Sequence, residues 1–259
     1  MPKPDAHILP GLKPVQELLR KAPDRIVRLY ARKDIPPSIL KLAETRAIPV
    51  EITDGRTLDQ LCRRQGSGPG ISHQGIAAEL RGPNLATLGN LLTAAPAAPL
   101  PLILALDQIR DPGNLGSLAR LAWAMGCAGL LLPEHNSCPP GPAAFRTSAG
   151  ALALLPVCET TNLARALDEA AEQGFAIYGA AACANAENVY CLDWQMPAIL
   201  TLGSENRGLR PGVAKRCESM VAIPLSRGFD SLNVAQAGAI LTSFCAACHA
   251  RKSMQTLSE

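Results

Sequence analysis

Apolar and polar positions follow two different rhythms along this chain, and the rhythm changes near residue 100. In the first part, KPVQELLRK keeps a helical spacing with Pro14 near its start, where a missing N–H costs least. RIVRLYAR alternates apolar and basic residues as a half-buried strand does, and PPSILKLAETRA returns to the helical period. IPVEIT is a second strand, TLDQLCRRQ a further helix, and HQGIAAEL a third strand after the glycine-rich GSGPG loop. These segments predict a small α/β domain. From Leu100 the apolar runs lengthen: PLILALDQI, GLLLP, LLPVCE, FAIYGAAA, AILTLGSE and MVAIPL. Helical segments, among them LGSLARLAWAMG, NLARALDEAAEQG and VAKRCES, separate most of them. Strands this apolar are buried on both faces, so the second part predicts a mainly parallel sheet with helices on either side.

Between the two parts, Gly82 to Leu106 carries no charge and is long enough to raise the question of a membrane span. Pro83, Pro96, Pro99 and Pro101, with Asn84 and Asn90, argue against it, since a lipid-exposed helix cannot leave so many backbone groups unpaired. The segment is expected to be a linker that ends in a buried strand. The N-terminal stretch lacks the apolar core of a secretory signal, so a cytoplasmic protein is expected. Across 259 residues, 47% hydrophobic and 18% charged residues suit one large core or two modest ones. Nine cysteines, an odd number without disulfide-like spacing, read as small core hydrophobes in a reducing compartment. Cys245-Ala-Ala-Cys248-His249 matches the attachment pattern for c-type haem. Its surroundings, NVAQAGAILTSFCAACHARK, favour a helix with small and apolar residues on one side, where cysteines pack.

Charge changes the picture more than its sum suggests. Residues 1–81 hold 14 Lys/Arg against 9 Asp/Glu, a net of +5, whereas the remainder holds 11 against 13, a net of −2. A basic N-terminal third suits a domain that approaches a phosphate backbone. Tyr30 is the only aromatic residue in that third, so shape and phosphate contacts, rather than base stacking, would drive recognition there.

In a parallel sheet the ligand lies beyond the carboxyl ends of the strands. Three strand ends here carry polar loops that contain glycine: DQIRDPGNLGSLAR, GSENRGLRPG after AILTL, and SRGFDSLN after VAIP. Pro112 and Gly113 make a turn in the first, and Asn114 is placed to cap the helix beyond it. No G-x-G-x-x-G opens a helix and no G-x-x-x-x-G-K-[ST] loop occurs, which disfavours a dinucleotide or ATP enzyme. The four histidines, His7, His73, His135 and His249, are scattered, so no metal site is expected. Ser204 lies in GSE rather than G-x-S-x-G, so no hydrolase elbow is indicated.

Taken in order, ALDQIRDPGNLGSLARLAWAMG, ILTLGSENRGL and VAIPLSRGFDSLNVAQAGAIL resemble the three motifs of the SpoU (TrmH-type) branch of the SPOUT RNA 2′-O-ribose methyltransferases. The first 81 residues, especially HQGIAAEL, more loosely resemble the L30e/L7Ae-like substrate-binding domain of large-subunit rRNA guanosine methyltransferases in that branch. The resemblance implies an α/β fold with a SPOUT (alpha/beta knot) catalytic domain, a C-terminal trefoil knot and a small N-terminal L30e-like domain. It divides the chain into an RNA-binding domain over 1–82, a linker over 83–99 and the methyltransferase domain over 100–259. By matching the motifs, it implies catalytic or RNA-positioning roles for Asn114, Arg120, Glu205, Ser231 and Asn233, and S-adenosylmethionine contacts at Gly203, Ile223 and Leu232. It also implies a homodimer whose site is completed across two subunits.

The implied function is methylation of a ribose 2′-hydroxyl, of a guanosine in large-subunit (23S) rRNA ahead of tRNA as the alternative, with neither metal nor membrane involved. A non-catalytic RNA-binding relative is the alternative from another class, and the joint presence of the five polar residues speaks against it. A sulfonium methyl group is already electrophilic, so the enzyme mainly aligns the hydroxyl and assists loss of its proton. Arginine is a poor base, with a pKa above ~12, so Arg120 is expected to bind the neighbouring phosphate from the edge of the sheet, facing residues 203–205 and 231–233. One departure from the family pattern is the SRGFD segment, whose Arg227, Phe229 and Asp230 are bulkier and more charged than the small residues expected there.

Overall fold

The computed structural model describes residues 7–64, 72–181, 186–205, 207–227 and 231–256. The GSGPG loop, Phe229 and Asp230 lie outside the described residues. The N-terminal unit runs β1 (His7–Pro10), α1 (Leu12–Lys21), β2 (Ile26–Ala31), α2 (Pro37–Thr45), β3 (Val50–Ile52), α3 (Gly55–Arg64) and β4 (Ile76–Leu80). Its sheet has the order β1-β4-β2-β3, with β4 antiparallel to both neighbours and β2 parallel to β3. The expected strands and helices are present. The added strand β1 escapes a periodicity reading because four residues, HILP, are too few to show alternation.

The chain continues through β5 (Asn84–Leu85), α4 (Leu88–Ala94), β6 (Leu100–Leu106), α5 (Pro112–Ala124), β7 (Cys127–Pro133), α6 (Pro142–Thr147) and α7 (Ala151–Leu154). Then come β8 (Pro156–Thr160), α8 (Leu163–Glu172), β9 (Ala176–Ala180), β10 (Glu187–Asn188), β11 (Ala198–Leu202), α9 (Pro211–Ala214), β12 (Ser219–Ala222) and α10 (Val234–Thr256). Eight strands form one sheet in the order β10-β12-β9-β11-β6-β7-β8-β5, and every pairing in it is parallel. Residues 83–99 are not an extended connection. Thr87 caps α4 by accepting from the Asn90 N–H at 3.2 Å, and Leu91 and Leu92 bury against the sheet. Alanines and two leucines spaced for one short amphipathic helix explain the difference, since Pro96 and Pro99 fall after it rather than inside it.

Strand β6 is buried along its whole length, and its residues divide by parity. Leu102, Leu104 and Leu106 join the core under α5, α6 and α10, whereas Ile103 and Ala105 join the core under α4 and α8. The first of these cores also takes in Leu9, Val15, Leu18 and Leu29 of the N-terminal unit, so both sheets share one continuous apolar interior. His7 packs against Phe145 of α6 in a tilted arrangement with ring centroids 4.5 Å apart. Across the junction, Arg25 donates to the carbonyls of Gly82 and Pro83 at 2.8 and 2.7 Å.

The C-x-x-C-H run lies inside α10, where Cys245 and Cys248 are buried in the same core. Burial pushes the Cys245 thiol well above the ordinary thiol range and raises Cys127 to about 12, which keeps both protonated and unreactive. Attachment of a haem needs both thiols accessible, and this packing denies that. Among the described residues no helix is long and apolar enough to cross a membrane, and no group of three His, Cys, Asp or Glu side chains is placed to hold a metal ion.

Because Leu104 is fully buried in the middle of the central strand, Leu104→Ala is expected to cost about 2–5 kcal/mol of stability. Leu85→Ser, at a side chain 60% exposed, is expected to change stability by no more than about 0.5 kcal/mol. Urea unfolding of both variants checks the contrast.

Candidate active site

Three loops at the carboxyl ends of β6, β11 and β12 converge. The first is shaped by Asp107, whose carboxylate is fully buried and pairs with Arg210 from the second. Asp107 Oδ2 accepts from the Arg210 backbone N–H at 2.8 Å and Oδ1 accepts from Arg210 Nε at 2.7 Å. Gln108 comes next with a positive φ of 62°, which turns the chain so that Ile109 buries and Arg110 faces outward. Asp111, not Asn114, caps α5: its Oδ2 accepts from the Asn114 N–H at 2.8 Å, and Pro112 takes the first helical position. Asn114 is therefore the third residue of the helix, with its amide free for other partners.

Those partners come from the other two loops. Asn114 Nδ2 donates to Glu205 Oε1 at 3.0 Å. Asn233 Nδ2 donates to the same oxygen at 2.8 Å and to Asn114 Oδ1 at 3.0 Å, which closes a ring of three side chains. Asn233 also caps α10, its Oδ1 accepting from the N–H groups of Ala235 and Gln236 at 2.9 and 3.3 Å. The Glu205 turn is fastened by a two-way backbone bridge between Ser204 and Gly208 at 3.2 and 2.8 Å. Only glycine fits at position 203, because a Cβ there would strike the backbone of Gly208.

Two cavities meet at this ring, with Ser204, Glu205 and Val234 lining both. One, of about 300 Å³, is mostly apolar and includes Gly203, Ile223, Ser231 and Leu232, all four expected from the sequence to belong to the site. Its combination of aliphatic walls and converging loop backbone fits an adenosine-bearing sulfonium donor. The other, of about 470 Å³, is lined mainly by polar residues, among them Arg110, Asp111, Asn114 and Arg207.

Arg120 is not part of this arrangement. It lies on a cavity with Lys13, Glu17 and Trp123, beside α1, away from residues 203–205 and 231–233, which corrects the expectation that it faces the donor loops of its own chain. The physical reason is helical geometry: six residues beyond Asn114 place it about 9 Å along the axis and on another face. Asp107, Arg110, Arg207 and Arg210 are site residues that the motif pattern alone does not single out. The available signal is their placement inside the two polar loops DQIRDPGN and GSENRGLR, where charge beside an apolar strand end is rarely idle.

Similarity to known proteins decides the family. The pattern of the SpoU rRNA Methylase family matches residues 101–243, and the RNA 2′-O ribose methyltransferase substrate-binding pattern matches residues 8–86. This chain belongs to the SpoU rRNA methylase family. It is an RNA 2′-O-ribose methyltransferase, and its three converging loops carry the SpoU motifs. The 23S rRNA (guanosine-2′-O-)-methyltransferase RlmB of Shewanella oneidensis is 31% identical over 238 residues, covering 90% of this chain and 94% of that protein. RlmB of Pseudomonas aeruginosa is 33% identical over 236 residues, covering 88% and 90%. Among solved structures, a protein of the TrmH RNA methyltransferase family from Porphyromonas gingivalis superposes with a TM-score of 0.68 at 28% identity, covering 93% of this chain and 89% of that one. The SpoU methyltransferase AviRb of Streptomyces viridochromogenes shares the fold with a TM-score of 0.73 at 22% identity, covering 94% and 89%.

Removing the Arg210 side chain leaves the Asp107 carboxylate buried with only a backbone N–H as partner. Arg210→Ala is expected to lower stability by about 1–3 kcal/mol. The loss should show in urea unfolding together with weaker S-adenosylmethionine binding, because the Glu205 turn is anchored through this pair.

Proposed function

We propose that this RNA 2′-O-ribose methyltransferase acts on a guanosine of large-subunit rRNA, with Asn114, Glu205, Ser231 and Asn233 at the reacting centre and Gly203, Ile223 and Leu232 around the methyl donor. The observation that carries the reading is the Asn114–Glu205–Asn233 ring standing at the shared wall of an apolar and a polar cavity. S-adenosylmethionine, when bound in the apolar cavity, supplies an electrophilic methyl group. The chain's own residues align the ribose hydroxyl for in-line attack and take up its proton. Donors from Asn114, Asn233 and the Val234 backbone all converge on Glu205 Oε1, which reserves Oε2 to accept from the substrate hydroxyl. Ser231, exposed at the mouth of the donor cavity, holds the hydroxyl or ribose edge.

Guanosine of large-subunit rRNA as target is supported by the two RlmB relatives, which match over most of both chains. The division into an RNA-binding unit over 1–82, a connecting segment over 83–99 and a catalytic unit over 100–259 is supported at its two outer parts by the two sheets, whereas β5 and α4 of the connecting segment join the second sheet and its core. A C-terminal knot is supported by the order of the last strands: β12 enters between β9 and β10 before α10 packs across α5. A cytoplasmic location accords with ribosomal RNA as substrate. Two features support a homodimer. Tyr190 and Phe244 are 54% and 39% exposed and meet edge to face with centroids 4.8 Å apart, and Arg120 lies away from the ring of its own chain. A second subunit places its Arg120 at the ring, where it binds RNA phosphate.

Incubation with methyl-labelled S-adenosylmethionine and total RNA lacking the modification tests the function, with label expected on the 2′-oxygen of a guanosine in large-subunit rRNA. Glu205→Gln is expected to reduce transfer by about 10²–10⁴-fold. Label on tRNA alone would shift the substrate, and RNA binding without any transfer would favour a non-catalytic RNA-binding protein. Co-expressed Arg120→Ala and Asn233→Ala chains are expected to regain activity that neither variant has alone. No recovery would place Arg120 outside the site.

A further inference from the structure

The polar cavity beside the ring carries two cations that the reaction chemistry just described does not use. Arg110 and Arg207 are exposed, line the same cavity, and have no ion pair or hydrogen bond among the described residues. Other arginines of the same chain nearby are engaged or lie elsewhere: Arg210 is paired with Asp107, Arg216 with Asp168, and Arg120 lies beside α1, so the one further guanidinium brought to the ring is that of the second subunit proposed above. We propose that Arg110 and Arg207 together clamp the phosphodiester next to the ribose being methylated. The proposal rests on the methyltransferase reading above and deepens it by naming what fixes the acceptor nucleotide.

Charge is arranged within the cavity as such a substrate requires. Two carboxylates also line it, but each has donors of its own: Asp111 accepts from the Asn114 N–H at 2.8 Å, and Glu205 accepts from the amides of Asn114 and Asn233 at 3.0 and 2.8 Å. A hydroxyl donor suits Glu205, whereas an anion is repelled from it and drawn to the guanidinium groups. One nucleotide has both groups, a 2′-hydroxyl and, a few bonds away, a phosphate. Arginine forks match phosphate oxygens in pairs, which fixes orientation as well as distance.

Both arginines also stand on anchored backbone, so the ordering cost of binding falls on their side chains and not on the loops that carry them. On one side of Arg110, the Ile109 carbonyl accepts from the Cys138 N–H at 2.7 Å and from Ser137 Oγ at 3.2 Å. On its other side, Asp111 caps α5. Arg207 sits within the turn closed by the Ser204–Gly208 bridge and held by the Asp107–Arg210 pair.

The test measures RNA binding by the full-length protein against salt concentration, alongside S-adenosylmethionine binding and methyl transfer. Each of Arg110→Ala and Arg207→Ala is expected to weaken RNA binding on the order of tenfold and to reduce the slope of log affinity against log salt by about 0.7, and the double variant by about 1.4. S-adenosylmethionine affinity stays unchanged in all three, which also certifies their folding. Lys215→Ala, an exposed cation away from the cavity that removes the same charge, is expected to leave binding and slope as they were. Arg110→Lys and Arg207→Lys, which preserve charge and fold, are expected to keep the slope while lowering kcat, because a single ammonium cannot orient the phosphate. An unchanged slope in the alanine variants overturns the proposal, and so does an unchanged slope with an altered base preference, which would make these base contacts. Because RNA binding is read directly, a chain that binds RNA with the expected slopes but transfers no methyl group would sink the methyltransferase reading and leave the clamp standing.

Discussion

A fully buried carboxylate at the end of the central strand sets terms that the surrounding loops must meet. A side chain with two oxygens at this depth loses its hydration, and only hydrogen-bond and charge partners inside the protein replace it. Arg210 answers with both its backbone N–H and its side chain, and in doing so folds the loop after β11 back over the end of β6. That brings Glu205 to Asn114, although the two are separated by most of the second sheet in sequence. The remaining partner, Asn233, arrives at the start of α10, whose first turn it caps. The active-site ring is thus built on one ion pair and two helix caps, each of which also satisfies a local folding need. Such double use keeps the polar cluster fixed before any substrate binds.

The parallel sheet was legible because strands buried on both faces are apolar almost throughout: β6 and β7 are wholly so, and β11 departs only at Thr201. The convergence of the three loops was also legible, since they share one edge of such a sheet. What could not be read were the direction of a side chain on its helix and the identity of a cap. Asn114 and Asp111 are both good capping residues, and only backbone geometry decides for Asp111. Arg120 shares a motif with Asn114 yet faces α1, since proximity in sequence along a helix is not proximity on its surface. The helix within residues 83–99 was hidden by prolines that lie just after it, and strands as short as β5 and β10 carry no period.

Two cavities separated by a wall of single residues divide the labour of recognition. The apolar side suits a ligand recognised by shape and backbone, and the polar side a ligand recognised by charge. Glu205 belongs to both, so its position is sensitive to the occupant of either. Cys127 in β7 and Cys245 in α10 stand outside this chemistry, as core fillers kept protonated by their surroundings.

The continuous interior beneath both sheets has a consequence for how an RNA is chosen. Leu9 and Val15 of the N-terminal unit pack into the same core as Leu104 and Leu118, and the Arg25 contacts to Gly82 and Pro83 stiffen the junction. The N-terminal unit, whose sequence is net basic, and the reacting centre are therefore held at a set separation, as marks on a ruler are. A frame of this kind measures length: it favours a backbone contour that meets both marks at once, a selection by shape that adds to whatever the base contributes.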